Sequence, residues 1–457
     1  MNTMRVEVLI LGFGKGGKML AAALGRAGRS VALVEQSGRM YGGTCINIGC
    51  VPTKALLHHA ETRPATHIAG PWYRRSVGAT GELTALMRQK NFATLDAIDA
   101  VTIVTGHAAF VDAKSVEVTA GQDRLTISAD TIVINTGAKP TVPDLPGLRA
   151  SRYAVTSTEL LDTPELPRRL AIVGGGHAGL EFAGTYSQFG AQVTVLEAHQ
   201  RILPAEDEDV AAAVAGILHE QGVTLTTGAR VTSVSDRVGG AVISYEIDGH
   251  AATTDADLIL VATGRVPATE GLGLDAAGVR TTPGAAVEVD EYLRTSQPHI
   301  YAIGDVTGGP QYTYLSLDDH RIVLDQLQGN SQRTTTNRGP VPYTLFTTPP
   351  LARVGLTETQ ARERGHTVKI ASTPINQMNA LPRARILNNT HGLMKLVVDA
   401  TTDHLLGAAL LTNDAQETIN TLTLAIHHDI TATQLRDTIY THPSTTEGLN
   451  ETLNNLH

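Results

Sequence analysis

Cys45 and Cys50 are the only cysteines in a chain of 457 residues, and they stand five apart in "YGGTCINIGCVPTK", residues 41–54. In a regular α-helix that step rises about 7.5 Å, more than the roughly 7 Å limit between bridged Cα atoms. A bond between the two sulfurs therefore needs an irregular backbone, which Gly49 permits. As a structural staple, so short a loop would contribute only about 2 kcal/mol. Two cysteines alone cannot complete a zinc site, and the neighbouring His58 and His59 lack the usual ligand spacing, so no metal site is expected. A redox-active pair explains the position better. An apolar helix, "VPTKALLHHA", should begin just after Cys50, its N-terminal dipole favouring a thiolate, and Lys54 adds a positive charge one turn in.

The elements around the pair are those of nucleotide-binding units. "VEVLILGFGKGGKML" is a β-branched run followed by Gly12, Gly14 and Gly17 and then a helical pattern. Glycine is needed there for the tight turn, for backbone approach to a pyrophosphate and for close helix–strand packing. A second strand, "SVALVEQ", ends at Glu35, placed to accept hydrogen bonds from a ribose diol. The whole pattern returns 162 residues later as Gly174, Gly176 and Gly179, with Gly28 matching Gly190 and Glu35 matching Glu197. Two nucleotides are expected.

"ADTIVINTGAKP" and "ADLILVATGRVP" are a further matched pair, each a strand ending in Thr-Gly, at Gly137 and Gly264. "QPHIYAIGDVTGG" is a strand that breaks at Gly304-Asp305, where a carboxylate can reach a bound ligand. "GNSQRTTTNRGPVPYT", residues 329–344, is polar and rich in breakers and reads as a boundary. Strand-like "KLVVDA" and "GAALL" and helical "ETINTLTLAIHH" follow, an α+β pattern without a glycine fingerprint.

The length is too great for one core. The expected fold is α/β, with two Rossmann-like units and a C-terminal α+β domain: 1–145 with 268–336 for the first nucleotide, 146–267 for the second, and 337–457 last. With 42% hydrophobic and 18% charged residues, and no apolar run of membrane length, the chain reads as soluble and cytoplasmic. Its net charge of −9 carries no basic clusters, which argues against nucleic acid as a partner.

These residues resemble the class I pyridine nucleotide-disulfide oxidoreductases, a family that includes glutathione reductase, dihydrolipoamide dehydrogenase and mercuric reductase. The motifs are "GFGKGG", "GGTCINIGCVPTK", "GGGHAGLEFA", "ATGRVP", "IGDVTGG" and "THPSTTE". The resemblance implies FAD on the first fingerprint and a nicotinamide cofactor on the second. It implies Cys50 as the flavin-contacting thiol, Cys45 as the interchange thiol and Lys54 paired with Glu181 beside the flavin. Asp305 would hold the ribityl chain, and Gly43, Thr44, Ala108 and Thr313 would touch cofactor. His442 and Glu447 match the family's acid/base histidine and its orienting glutamate, which reach the other subunit's site in a homodimer. His58, His59, His427 and His428 have no such support and read as solvated. The family often has a tyrosine over the nicotinamide pocket, and this chain has His177 there.

Glu197 at the end of the second ribose-reading strand favours NADH over NADPH, with Arg201 near enough to soften that preference. The tail, "NETLNNLH", has no cysteine, so substrate must reach Cys45 directly. "YTYLSLDDHRIV", "TTPPLARVGLTE" and "LPRARILNNTHG" resemble the bacterial reactive-chlorine-resistance flavoproteins, a branch associated with reducing hypothiocyanous acid and Cu(II). The expected function is reduction of a small thiol-reactive oxidant. The alternatives are dihydrolipoamide dehydrogenase or mercuric-reductase-like activity, or a flavin-linked thiol redox sensor.

Overall fold

The computed structural model describes residues 2–379 and 381–457. Asn2–Leu11 is the central strand of the first sheet, and Val8 to Leu11 within it are at most 1% exposed, as a strand covered on both faces must be. Val31–Glu35 and Asp123–Ile134 flank it in parallel, Val101–Thr105 lies beyond the first of these, and Ile300–Ala302 pairs with the second. The segment that carries Asp305 thus returns to the first sheet after the chain has built the second.

That second sheet is parallel throughout: Val223–Thr226, Gln192–Leu196, Arg169–Val173, Leu258–Val261 and Ala154–Val155, in that order. In both sheets the strand before the glycine fingerprint lies between the strand ending in glutamate and the strand leading to Thr-Gly. The sequence repeat is therefore a repeat of strand order, and the fingerprints, glutamates and Thr-Gly turns gather at the carboxyl ends of their sheets, where such folds bind ligands. Just beyond the Thr-Gly turns the two units meet, Ala138–Pro140 pairing antiparallel with Arg265–Pro267.

The last domain is a five-stranded antiparallel sheet, Tyr343–Leu345, Leu351–Gly355, Leu405–Leu411, Leu393–Asp399 and Val368–Pro374 in spatial order. Its core packs Val354, Met394 and Leu410 against Ile419 and Leu422 of helix Ala415–His427 and Leu449 of helix Gly448–Asn454.

Among these local readings, only that of His59 differs from expectation. Residues 329–342 form no regular element, yet they are not a loose linker: Arg333 and Arg338 pair with Asp318 at 3.1 and 3.4 Å, and Arg338 with Asp319 at 2.7 Å. His59 is half-buried, its carbonyl accepting the Trp72 indole N–H at 2.8 Å and burial lowering its imidazole pKa. His58, His427 and His428 are exposed. Among the described residues no helix is long and apolar enough to cross a membrane.

Candidate redox site

The two fingerprints share their glycine geometry and the backbone hydrogen bonds to their glutamates. Gly12 and Gly174 have φ of +105° and +107°, and a Cβ on either would lie within 2.5 Å of a carbonyl oxygen, that of Asn135 or Ala262. Gly17 and Gly179 lie where helix meets strand, a Cβ on them falling 2.7 and 2.0 Å from the carbonyls of Gly12 and Gly174; neither lines the cleft. The Glu35 carboxylate accepts the Phe13 N–H at 3.0 Å and the Ser37 N–H at 3.4 Å. Glu197 accepts from the equivalent Gly175 at 2.6 Å and His199 at 2.8 Å.

The cysteines sit at a break between two helices. Thr44–Asn47 is one short turn, Ile48 and Gly49 leave helical geometry, and helix Cys50–Glu61 starts at Cys50 itself rather than after it. The thiol thus sits in the first turn, where unpaired backbone N–H groups favour a negative charge. Both thiols are free. Cys45 hydrogen-bonds to Cys50, which lowers the Cys50 pKa to about 6 against the opposing effect of burial, with Thr313 Oγ1 at 3.7 Å and the Lys54 charge helping. The same hydrogen bond, with burial, pushes Cys45 up. The pair therefore holds one proton on Cys45 and one negative charge on Cys50 near neutrality. Ultraviolet thiolate absorbance of the reduced chain should accordingly be present above about pH 6 and lost on acidification through that value; a single titration above pH 8 would contradict the assignment.

Lys54 Nζ donates to Glu181 Oε2 at 2.6 Å and lies 4.7 Å from the Phe346 ring centroid, while Glu181 Oε1 accepts the Phe346 N–H at 2.9 Å. This joins the cysteine helix to the second-fingerprint helix, His177–Phe189. His177 opens that helix and stacks on Tyr343 with ring centroids 5.3 Å apart; burial lowers its pKa. Tyr312 continues the stack from Tyr343 at 6.2 Å, and Tyr314 from Tyr312 at 5.2 Å. Asp305 faces the same cleft, with burial raising its carboxyl pKa against the pull of Arg265.

His442 Nδ1 lies 2.8 Å from Glu447 Oε2, and Glu447 Oε1 accepts the Ser444 N–H at 2.9 Å. The imidazole is 70% exposed and is not part of the cleft that holds Cys45 and Cys50. Arg201 does not stand over Glu197: its guanidinium donates to the carbonyls of Pro204 and Glu206 at 2.8 and 2.9 Å. Residues the sequence did not single out include Asn135, which donates to the Gly12 carbonyl at 3.0 Å, and the tyrosine stack. "NTG" and "YTY" were the available signals.

One cleft of about 1900 Å³ runs between the fingerprints, lined by Gly12, Glu35, Gly174 and Glu197 as well as both cysteines. Gly43, Thr44, Ala108 and Thr313 line it too, as do Gly14, Gly137 and Gly264. A pocket for one drug-sized ligand reaches about 1,000 Å³, so there is room for two nucleotides. Helices Lys15–Arg26 and His177–Phe189 begin without side-chain caps, leaving backbone N–H groups for anionic ligands. A Cβ on Gly176 or Gly137 would meet only open space, and the Thr136 hydroxyl in the lining has no hydrogen-bond partner among the described residues. The residues fit two dinucleotides. Among the described residues no group of three or more His, Cys, Asp or Glu could hold a metal ion.

The chain belongs to the pyridine nucleotide-disulphide oxidoreductases: the family model of that description matches residues 6–319, and the family's dimerisation domain matches residues 341–453. It is an oxidoreductase of an FAD-dependent, pyridine-nucleotide-using family. Over 98% of both chains it is 42% identical to the probable pyridine nucleotide-disulfide oxidoreductase RclA of Escherichia coli. The solved Cu(II) complex of that HOCl-induced flavoprotein disulfide reductase superposes with a TM-score of 0.93 over 99% of each chain. A mercuric reductase of Staphylococcus aureus is 36% identical over 97% of this chain and 81% of its own.

Proposed function

We propose that the chain is an NADH-dependent reductase of a small thiol-reactive oxidant, with hypothiocyanous acid as its substrate, and that it protects the cell against such oxidants. The observation that carries this reading is the hydrogen-bonded pair Cys45–Cys50 in the cleft shared by the two fingerprints, with the acidic thiol at a helix start. Bound FAD supplies transfer of an electron pair from NADH to the Cys45–Cys50 disulfide. Gly12, Gly14, Glu35 and Asp305 bind and orient it, and Gly174, Gly176, His177 and Glu197 orient the nicotinamide nucleotide.

The remaining steps belong to the thiols. Cys45 gives up its proton and attacks the sulfur of hypothiocyanous acid, forming a Cys45–thiocyanate S–S bond as hydroxide leaves. Cys50 thiolate then attacks the Cys45 sulfur, closing the disulfide and releasing thiocyanate. One oxidant consumes two electrons, which one NADH restores. Because Cys45 carries the raised pKa, it needs a base. We assign that role to His442 of a second copy of the chain, oriented by Glu447; the dimerisation-domain match and the dyad's place outside this chain's own cleft support it. A working dithiol suits a reducing compartment such as the cytoplasm.

Cu(II) is the alternative oxidant, since the E. coli relative has been solved with it. NADH consumption measured side by side with hypothiocyanite, lipoamide and Cu(II) tests the proposal. Hypothiocyanite should be turned over fastest. Rapid turnover of lipoamide alone would overturn this reading, and negligible turnover of all three would make the chain a redox sensor.

A further inference from the structure

The equivalence of the two nucleotide units fails at one informative position. In the first unit the residue two past the glutamate is Ser37, which offers Glu35 only a backbone N–H at 3.4 Å. In the second it is His199, which offers Glu197 Oε1 both its backbone N–H at 2.8 Å and its ring Nδ1 at 2.5 Å. A carboxylate only accepts, so the imidazole donates from Nδ1. A carboxylate has about four acceptor positions. With the Gly175 N–H also bound at 2.6 Å, Glu197 keeps one of them. Glu197 can therefore receive only one hydroxyl of a ribose.

The imidazole changes what else this end of the cleft tolerates. It is 69% exposed, and Arg230 lines the same cleft, its guanidinium paired to Glu246. A phosphate monoester on the adenosine 2′-oxygen would meet the bare Glu197 carboxylate in a site built like the first. When protonated, the imidazole can donate to Glu197 from one nitrogen and to the phosphate from the other, with Arg230 as a second cation. We infer that His199 is a coenzyme-selecting residue, which makes the second nucleotide site accept NADPH beside NADH. This rests on the reading of the second fingerprint as the pyridine nucleotide site.

The test uses the holoenzyme, whose FAD fills the first site, and two fragments, 5′-ADP and 2′,5′-ADP, titrated calorimetrically. The native chain should bind 2′,5′-ADP within about tenfold of 5′-ADP. In His199→Ser, which installs the first unit's residue, 2′,5′-ADP should weaken by about tenfold or more, the loss of one charge-assisted hydrogen bond, while 5′-ADP binds as well as before or better. The kcat/KM ratio of NADPH to NADH should fall in parallel. An unchanged fragment ratio in the variant, or rejection of 2′,5′-ADP by the native chain, would overturn the role of His199. Failure of the native chain to bind either fragment would instead overturn the reading of the second fingerprint.

Discussion

Cys45→Ser and Cys50→Ser should each lower turnover on the order of a thousandfold or more, as loss of a member of a unit acting together does, yet they should differ in colour. On NADH reduction Cys45→Ser should keep the long-wavelength absorption that a thiolate gives beside an oxidised flavin, and Cys50→Ser should lose it. The reason lies in which sulfur carries the charge: the largest influence lowering Cys50 is the hydrogen bond donated by Cys45. A serine at position 45 still donates, so the Cys50 thiolate survives. Cys45→Ala removes the donor, and its thiolate should then appear only at a pH clearly above about 6. The opposite pattern, with Cys50→Ser coloured and Cys45→Ser not, would reverse the two roles.

What was legible in the sequence was what repeats or is local. The glycine and glutamate spacing of the two fingerprints specified two equivalent strand–turn–helix units, because each residue type answers a backbone demand: Gly12 and Gly174 cannot carry a Cβ under the carbonyls of Asn135 and Ala262. The break between Cys45 and Cys50 followed from helix geometry alone. The long helix Ala69–Asp96 was not legible, since its buried face includes Ser76, Thr80 and Thr84, and its sequence carries Gly78 and Gly81. A polar stripe gives no apolar period to read. The antiparallel sheet Arg230–Arg237, Gly240–Ile247 and His250–Ala256 was missed because its two outer strands are largely exposed and polar. Contacts between distant segments were also invisible. Nothing in "AEDEDV" says that Glu206 meets Arg353, or that Lys395 meets Asp207 and Asp209 at 3.2 and 3.0 Å.

Those distant ion pairs carry the second large effect, on stability. Arg353 Nη1 lies 3.1 Å from Glu206 Oε2 with the side chains only 5% and 3% exposed, so the second nucleotide unit and the last domain share a buried charge pair. Glu206 also accepts the hydroxyl of Tyr343, whose ring stacks on His177 in the cleft. Arg353→Met would leave the Glu206 carboxylate buried with one neutral donor. Removing one partner of such a pair costs roughly 3–5 kcal/mol, whereas replacing both by groups of similar shape is often close to neutral. Arg353→Met should thus lower the urea midpoint sharply, and Glu206→Gln combined with Arg353→Met should recover most of the loss. If the double variant were as unstable as the single, the damage would lie in packing of the arginine stem and not in the stranded charge.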